Sequence, residues 1–324
     1  MKLLDYEIKP GDKFIKDLTI SDSQGHQTLL TYYVIAGIQK GPTLCITSGI
    51  HGTEYPGIGA NLKLFHDISP AELCGTIIGV PYCNFASFET KTSFVNPLDG
   101  KNLNDTFPGS PDGTITEKLC YTLLHQFAEK ADYHIDMHSG DSIEYLCPYA
   151  FYHVSKYAPD VTEMSRKMAL AYGLKYISCT ETSGKGATDK GNFYSAVTEM
   201  GIPSIQPEIG GIGLITEETK HLHYQGAKNV MILLGMLNQP QPKCDRQSEL
   251  SRFYRLQSKF NGIYHCFVSP GEKVKKGQRL ASITDYHSQQ IYTEFFAEED
   301  CVILWVMSTF AACKGDNLMA IGII

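Results

Sequence analysis

The first 240 residues alternate between short apolar runs and longer segments with apolar residues at helical spacing. The run TLCITS precedes the helix-like PGIGANLKLFHDI, and the helix-like TEKLCYTLLHQFAEKA leads into DYHIDMH. The same order of helix-like segment and apolar run occurs twice more, in APDVTEMSRKMALAYG before KYISC and in NFYSAVTEMG before IPSIQPEIGG. Strands that alternate with helices are typical of a mostly parallel sheet covered on both faces. The sequence therefore predicts an α/β fold with a doubly wound, mixed but mostly parallel sheet.

The sequence changes character near residue 240. The polar, proline-containing stretch LNQPQPKCDRQSE follows the apolar GAKNVMILLGML and is typical of a linker. Beyond it, short alternating apolar runs are broken by Pro-Gly, Lys-Gly and Lys-Gly-Asp turns, and no helical pattern is present. We therefore predict a larger α/β domain over residues 1–240 and a small all-β domain over residues 241–324.

Composition and charge exclude several classes of partner. The chain is 43% apolar and 19% charged, as in ordinary globular proteins, and its net charge of −7 provides no basic surface for nucleic acid or an anionic membrane. No apolar run approaches the roughly 18 residues of a membrane-spanning helix, and MKLLDYEIKPGDKF lacks the apolar run of a signal peptide. We expect a cytoplasmic protein without nucleic-acid or membrane partners, and a homo-oligomer is left open.

Four polar residues fall at the carboxyl ends of predicted strands. His51 and Glu54 follow TLCITS, His138 ends DYHIDMH, and Glu208 lies near the end of IPSIQPEIGG. In open parallel sheets, ligands bind in the crevice outside the carboxyl ends of the strands. We therefore expect side chains from three strands to meet at one edge of the sheet.

These residue types point to metal-assisted hydrolysis. Two histidines and one carboxylate form a common catalytic zinc site that leaves a fourth position for water. Zinc lowers the pKa of that water to about 7 and polarises a carbonyl group, and Glu208 would carry the water's proton to the leaving amine. Each residue alone also has a structural interpretation, because His138 shares a strand face with Asp136 and His134, and Glu208 precedes a glycine turn.

Three short motifs make the resemblance to a known family specific. The chain resembles the succinylglutamate desuccinylase/aspartoacylase family in three signatures that occur in the expected order, GIHGTEYPG, DMHSGD and PEIGGIG. A fourth stretch, NPLDGKNLNDTFPG, resembles the substrate loop of that family. The resemblance implies a zinc carboxypeptidase-like fold with a C-terminal β domain near the active-site mouth. It also implies that His51, Glu54 and His138 hold one Zn²⁺ per chain and that Glu208 is the general base. The expected activity is that of a zinc-dependent amidohydrolase, a deacylase of a small N-acylated amino acid or amine.

The substrate loop departs from the family pattern D-L-N-R-x-F-P-G. Residues 102–109 read NLNDTFPG, so Asn104 is retained and Asp105 replaces the arginine that would grip a substrate carboxylate. We expect both residues to bind substrate, with Asp105 selecting a cationic amine. The alternative is that Asp105 faces solvent or caps a turn. A second family arginine, which polarises the scissile carbonyl, is also missing, and Lys91 is the candidate replacement.

Two other functions compete with a deacylase. A metallocarboxypeptidase acting on peptides would share the metal site, but such enzymes must grip a C-terminal carboxylate and the loop arginine is absent. A zinc-binding module that has lost catalysis would explain the scarcity of arginine, whereas the presence of Glu208 argues against it. The sequence therefore favours a small acylated amine as the substrate and leaves its acyl group open.

Overall fold

A computed structural model of the chain describes residues 1–155, 158–180, 191–242 and 247–324. The α-helices in these ranges are α1 (Tyr55–Asp67), α2 (Phe85–Thr90), α3 (Ile115–Thr122), α4 (Pro159–Tyr172), α5 (Phe193–Glu199) and α6 (Glu217–Leu233). The strands are β1 (Lys2–Leu3), β2 (Tyr6–Glu7), β3 (Lys13–Ser21), β4 (Gln27–Ala36), β5 (Gln39–Ser48), β6 (Cys74–Val80), β7 (Tyr133–Met137), β8 (Glu144–Leu146), β9 (Tyr149–His153), β10 (Tyr176–Thr180), β11 (Ser204–Glu208), β12 (Ser248–Leu250), β13 (Arg252–Gln257), β14 (Gly262–Cys266), β15 (Lys273–Val274), β16 (Arg279–Thr284), β17 (Ile291–Phe296), β18 (Cys301–Met307), β19 (Ala311–Ala312) and β20 (Asn317–Ile323). Short 3₁₀ turns span Leu103–Asp105 and Ala128–Lys130, and a π-helical turn spans Leu123–Phe127.

Nine strands form one mixed sheet in the order β12-β10-β9-β11-β7-β5-β6-β4-β3. At its centre, β11, β7, β5 and β6 are all parallel neighbours. On one side β9 runs antiparallel to β11, and on the other β4 and β3 continue the sheet in antiparallel pairs. The parallel strands therefore lie side by side where three of the predicted site segments end.

Different helices cover the two faces of this sheet. Ile46 of β5 belongs to a core that includes residues of α1, α4 and α6, whereas its neighbour Cys45 belongs to a core with residues of α3 and α5. Successive residues of a strand point to opposite faces, so the continuous apolar run TLCITS is buried on both sides. The prediction of a mixed α/β fold is confirmed.

From residue 247 onward, all regular secondary structure in the described chain is β-strand. A sheet with the order β13-β20-β18-β15 and a second sheet with the order β17-β16-β14-β19 pack around an apolar core that also includes Tyr149 and Phe151 of β9. Val302, Leu304 and Leu318 are fully buried in that core. The prediction of a C-terminal all-β region is confirmed.

Each of the two regions contributes a strand to a sheet of the other. β8 pairs with β18 of the C-terminal region, with Leu146 opposite Trp305, and β12 joins the large sheet beside β10. The predicted boundary between residues 240 and 241 therefore precedes a strand of the large sheet, and residues 243–246 of the predicted linker lie outside the described ranges. None of the described helices is both long and apolar enough to cross a membrane.

Candidate active site

Three neighbouring parallel strands carry the predicted site residues to one edge of the large sheet. β5 is followed by His51 and Glu54, β7 ends directly before His138, and β11 ends at Glu208. His138 and Glu208 are register partners across the β7–β11 pair, and the amide of His138 donates to the Pro207 carbonyl at 2.9 Å. The structure therefore brings together the four side chains that the sequence placed at the carboxyl ends of strands.

Small residues allow the turn between β5 and α1 to pack tightly. Gly49 has a φ of +67°, in the left-handed region that favours glycine. A Cβ atom on Gly52 would collide with the backbone of Ser87 and Phe88. The glycines of SGIHGTE therefore let His51 and its turn lie against a neighbouring segment, which positions the imidazole at the sheet edge.

His51, Glu54 and His138 form a compact buried cluster. Nδ1 of His51 lies 2.7 Å from Oε1 of Glu54, and Nδ1 of His138 lies 2.9 Å from Oε2 of the same carboxylate. One potential ligand atom from each residue lies within 4.8 Å of the others. Two imidazoles and one carboxylate at this spacing could hold a divalent metal ion such as zinc.

The groups behind the two histidines orient them for metal binding. Nε2 of His138 lies 2.9 Å from Oδ2 of Asp136, and Nε2 of His51 lies 3.1 Å from Oδ1 of Asn102. An oxygen acceptor at Nε2 holds the ring proton there and leaves the Nδ1 lone pair for a metal. The residues present therefore fit a metal ion bound through both Nδ1 atoms and Glu54.

The charges within the cluster keep Glu54 ionised. Burial opposes its ionisation, but the adjacent His138 and His51 outweigh burial and lower the pKa of Glu54 to about 2. In the same way, Glu54 overcomes the effect of burial on His51 and raises its pKa to about 9, so a metal ion at Nδ1 would replace the proton that Glu54 favours there. A buried carboxylate that remains anionic at neutral pH supplies charge that compensates a cation.

Two further carboxyl groups line the cavity around the cluster. Burial raises the pKa of Glu208 to about 8, with the charge of His138 acting in the opposite direction, and Gln206 donates a 2.7 Å hydrogen bond to its Oε1. Burial raises the pKa of Glu144 to about 7. Groups that titrate near neutral pH suit proton transfer. Glu208 was expected from the sequence, whereas Glu144, six residues after His138, was not.

The cluster opens into a cavity of about 600 Å³. Its aromatic walls come from both regions of the chain, because Tyr149, Phe151 and Tyr194 face Phe253 and Trp305 of the C-terminal strands. Sites for small molecules commonly have volumes of about 300–1,000 Å³ and mostly apolar walls with a few polar groups. This cavity therefore has the size of a small-molecule site.

The three predicted substrate residues have different surroundings. Asn104 and Asp105 both line the cavity. Oδ1 of Asn104 accepts a 3.1 Å hydrogen bond from the amide of Phe193, while Asp105 is exposed. Lys91 ends α2 with a left-handed φ of 57° and lines a separate depression beside Tyr55. The structure does not bring Lys91 to the cavity, so the geometry gives no support to its predicted role on the scissile carbonyl.

Two polar residues of the C-terminal region also line the cavity, Arg255 on β13 and Asn317 at the start of β20. Neither was expected from the sequence. The local pattern around them indicates only short strands, and their place in the cavity depends on how those strands pack against the large sheet.

Comparison with known proteins agrees with this architecture. Residues 40–234, which are 195 of the 324 residues, match the model of the succinylglutamate desuccinylase/aspartoacylase catalytic domain. An N-alpha-acetyl-L-2,4-diaminobutyric acid deacetylase from Halomonas elongata is 30% identical over 293 residues, covering 87% of this chain and 82% of that protein.

Solved structures share the whole fold. A succinylglutamate desuccinylase from Silicibacter sp. TM1040 has a TM-score of 0.84 at 25% identity, covering 98% of this chain and 97% of that chain. The product-bound ectoine utilization protein EutE (DoeB) from Ruegeria pomeroyi has a TM-score of 0.85 at 24% identity, covering 98% of each chain, and shows the fold alone. The catalytic-domain match and the diaminobutyrate deacetylase relative together show that this chain belongs to the succinylglutamate desuccinylase/aspartoacylase family.

Proposed function

We propose that this protein is a zinc-dependent deacylase that uses metal-activated water to hydrolyse the amide bond of a small N-acylated amino acid or amine. The observation that carries the proposal is the convergence of His51, Glu54, His138 and Glu208 in one cavity of small-molecule size. Membership of the family and the deacetylase relative support hydrolysis of small acylated amino acids.

In this proposal, His51, His138 and Glu54 would hold one zinc ion, the two histidines with Nδ1 and Glu54 with a carboxylate oxygen. When bound, zinc polarises the scissile carbonyl and makes water acidic enough to attack at neutral pH. Asp136 and Asn102 hold the two imidazoles in the tautomer that presents Nδ1.

Glu208 acts as the general base and then as the general acid. Its carboxylate receives a proton as water attacks the amide carbon, and it donates that proton to the nitrogen as the C–N bond breaks. Its raised pKa makes the carboxylate a stronger base than an ordinary glutamate, and its protonated form is well populated near neutral pH. Gln206 fixes the orientation of Glu208 through the hydrogen bond to Oε1.

We propose a cationic acylated amine, such as an N-acylated diamino acid, as the substrate class. Asp105 gives the wall of the cavity a negative charge, and that charge favours an ammonium group. Asn104 ties the loop that carries Asp105 to the first residue of α5, so the carboxylate is presented from an anchored backbone. The name of the Halomonas relative describes a substrate of this class.

Hydrolysis of acylated diamino acids by the zinc-loaded protein, measured as release of free amine or acid, tests this function. We expect Glu208→Gln to lower turnover roughly 10²–10⁴-fold while zinc content is unchanged. Glu218→Gln, at the exposed start of α6, is the matched control and should behave as wild type. A wild type that binds zinc without any turnover would indicate a binding module, and faster cleavage of peptides would indicate a carboxypeptidase.

A further inference from the structure

The cavity contains a permanent cation that comes from the C-terminal region. Arg255 lies on β13 and lines the cavity together with Phe253, two residues earlier on the same strand face. Among the described residues that line the cavity, Arg255 is the sole lysine or arginine. Among the residues that the structure describes, Arg255 and the metal end of the cavity are therefore the places where a negatively charged ligand group could be recognised.

The guanidinium of Arg255 is free to bind a ligand. Within the described ranges it has no ion-pair partner. The three other arginines in those ranges are paired with glutamates, Arg166 with Glu249, Arg252 with Glu299 and Arg279 with Glu294.

Contacts with cavity residues place the Arg255 side chain on the cavity wall. Its guanidinium carbon lies 5.4 Å from the centre of the Phe253 ring. Burial raises the pKa of Tyr194 to about 12, and the positive charge of Arg255 opposes part of this rise. The same charge acts on Tyr149, which burial shifts in the same direction. Since Phe253, Tyr194 and Tyr149 all line the cavity, the charge of Arg255 acts within it.

The backbone that carries Arg255 is fixed because the chain passes from the large sheet into the C-terminal sheet just before it. The preceding strand, β12, pairs with β10 of the large sheet, whereas β13 pairs with β20 of the C-terminal sheet, with Arg255 opposite Ala320. One residue, Ser251, separates these two strands, and its amide donates to the Ile323 carbonyl at 2.8 Å. The position of Arg255 relative to the cluster of His51, Glu54 and His138 is therefore fixed by sheets on both sides of the junction.

The remaining charges in the cavity favour one orientation of the substrate. With the reacting amide at the position of the metal beside Glu54, the carboxylate of the substrate would lie elsewhere in the cavity. Arg255 offers five N–H donors in a planar arrangement that matches a carboxylate. A substrate with its acyl amide at the cluster would therefore have its carboxylate stabilised at Arg255.

We propose that Arg255 binds the carboxylate of the substrate and that the substrate is consequently an N-acylated amino acid, not an acylated amine without a carboxylate. This inference rests on the proposed deacylase function and narrows its substrate class. Arg255 is a specificity-determining residue in this account, because it contacts the substrate at a distance from the reacting amide.

Calorimetric binding of two ligands tests the inference without requiring turnover. L-2,4-diaminobutyrate carries a carboxylate, and 1,3-diaminopropane is its decarboxylated counterpart. We expect the wild type to bind L-2,4-diaminobutyrate more tightly than 1,3-diaminopropane. Arg255→Gln should weaken the binding of L-2,4-diaminobutyrate roughly tenfold, which is the lower end of the range for a charge-assisted hydrogen bond, because Arg255 is exposed. Binding of 1,3-diaminopropane should not change.

Two variants control for charge and geometry. Arg252→Gln removes an arginine from the same strand that is tied to Glu299 and does not line the cavity, so it should bind both ligands as the wild type does. Arg255→Lys keeps the charge but loses the planar donors, and should fall between wild type and Arg255→Gln.

Kinetics with N-acetyl derivatives of the same two compounds complete the test. Arg255→Gln should raise KM for the carboxylate-bearing substrate and leave kcat nearly unchanged. A wild type without preference for the carboxylate, or an Arg255→Gln variant that retains this preference, would overturn the inference. A wild type that prefers the carboxylate in binding but hydrolyses no acyl amide would refute the deacylase function and leave the role of Arg255 intact.

Discussion

Replacement of Asp136 tests directly how the fold orients His138 for metal binding. This fully buried residue of β7 accepts a hydrogen bond from Nε2 of His138 at 2.9 Å on Oδ2 and from the Thr47 hydroxyl at 2.7 Å on Oδ1. By holding the proton of His138 on Nε2, Asp136 leaves Nδ1 available to the metal. Replacement by Asn removes the negative charge and keeps the shape of the side chain.

Loss of a carboxylate behind a metal-bound histidine typically lowers metal affinity by about 10–100-fold, which corresponds to roughly 1.4–2.8 kcal/mol. In Asp136→Asn the amide oxygen can still accept from His138. The amide nitrogen would face the Thr47 hydroxyl, which can accept this bond when it donates its own proton to Nε2 of His134, 2.9 Å away. We therefore expect a loss near the lower end of this range, about tenfold.

Competition with a chelator of known zinc affinity measures the effect. The matched control is Glu199→Gln, because Glu199 holds a second buried histidine, His153, through a 2.7 Å contact to Nε2 outside the cluster. This control should bind zinc as tightly as the wild type. Unchanged zinc affinity in Asp136→Asn, or an equal loss in both variants, would refute the role assigned to Asp136.

Three further variants test separate parts of the structure. Asp105→Arg should shift the ratio of kcat/KM from cationic towards dianionic acyl substrates, and an unchanged ratio would place Asp105 outside substrate recognition. Burial lowers the pKa of His134 from 6.5 to about 4, so its neutral form stabilises the fold above pH 6.5 and this contribution is lost as the pH falls towards 4. The free energy of unfolding should therefore decline less steeply across that window in His134→Gln, whereas equal slopes would contradict the assignment. Lys91→Ala should leave kcat/KM unchanged, because Lys91 lines a different depression, and a large loss would restore its catalytic role.

The residues that could be placed from the sequence all lie next to unambiguous strands. His51, His138 and Glu208 follow or end apolar runs, and the carboxyl ends of parallel strands meet at one edge of a sheet. The structure brings these ends together because β11, β7 and β5 are adjacent and parallel. Strand direction elsewhere is not encoded in the apolar pattern, and the antiparallel placement of β9 beside β11 was not evident from it.

The residues that were missed or misplaced depend on contacts distant in sequence. Arg255 reaches the cavity because β12 and β13 belong to different sheets, and Glu144 begins the strand that pairs with β18. Lys91 precedes the substrate loop closely in sequence, but it occupies the left-handed end of α2 and lines another depression. Local patterns carry no information about the positions of Arg255 and Glu144, since both follow from long-range strand pairing.

The zinc content of the purified protein, measured by mass spectrometry in wild type and in His51→Ala, tests the central claim most directly. We predict one zinc ion per chain in the wild type and a loss of both zinc and amide hydrolysis in the variant, because His51 supplies one of the three ligand groups. A wild type that binds no zinc even after reconstitution, or a His51→Ala variant that retains full zinc occupancy, would contradict the account.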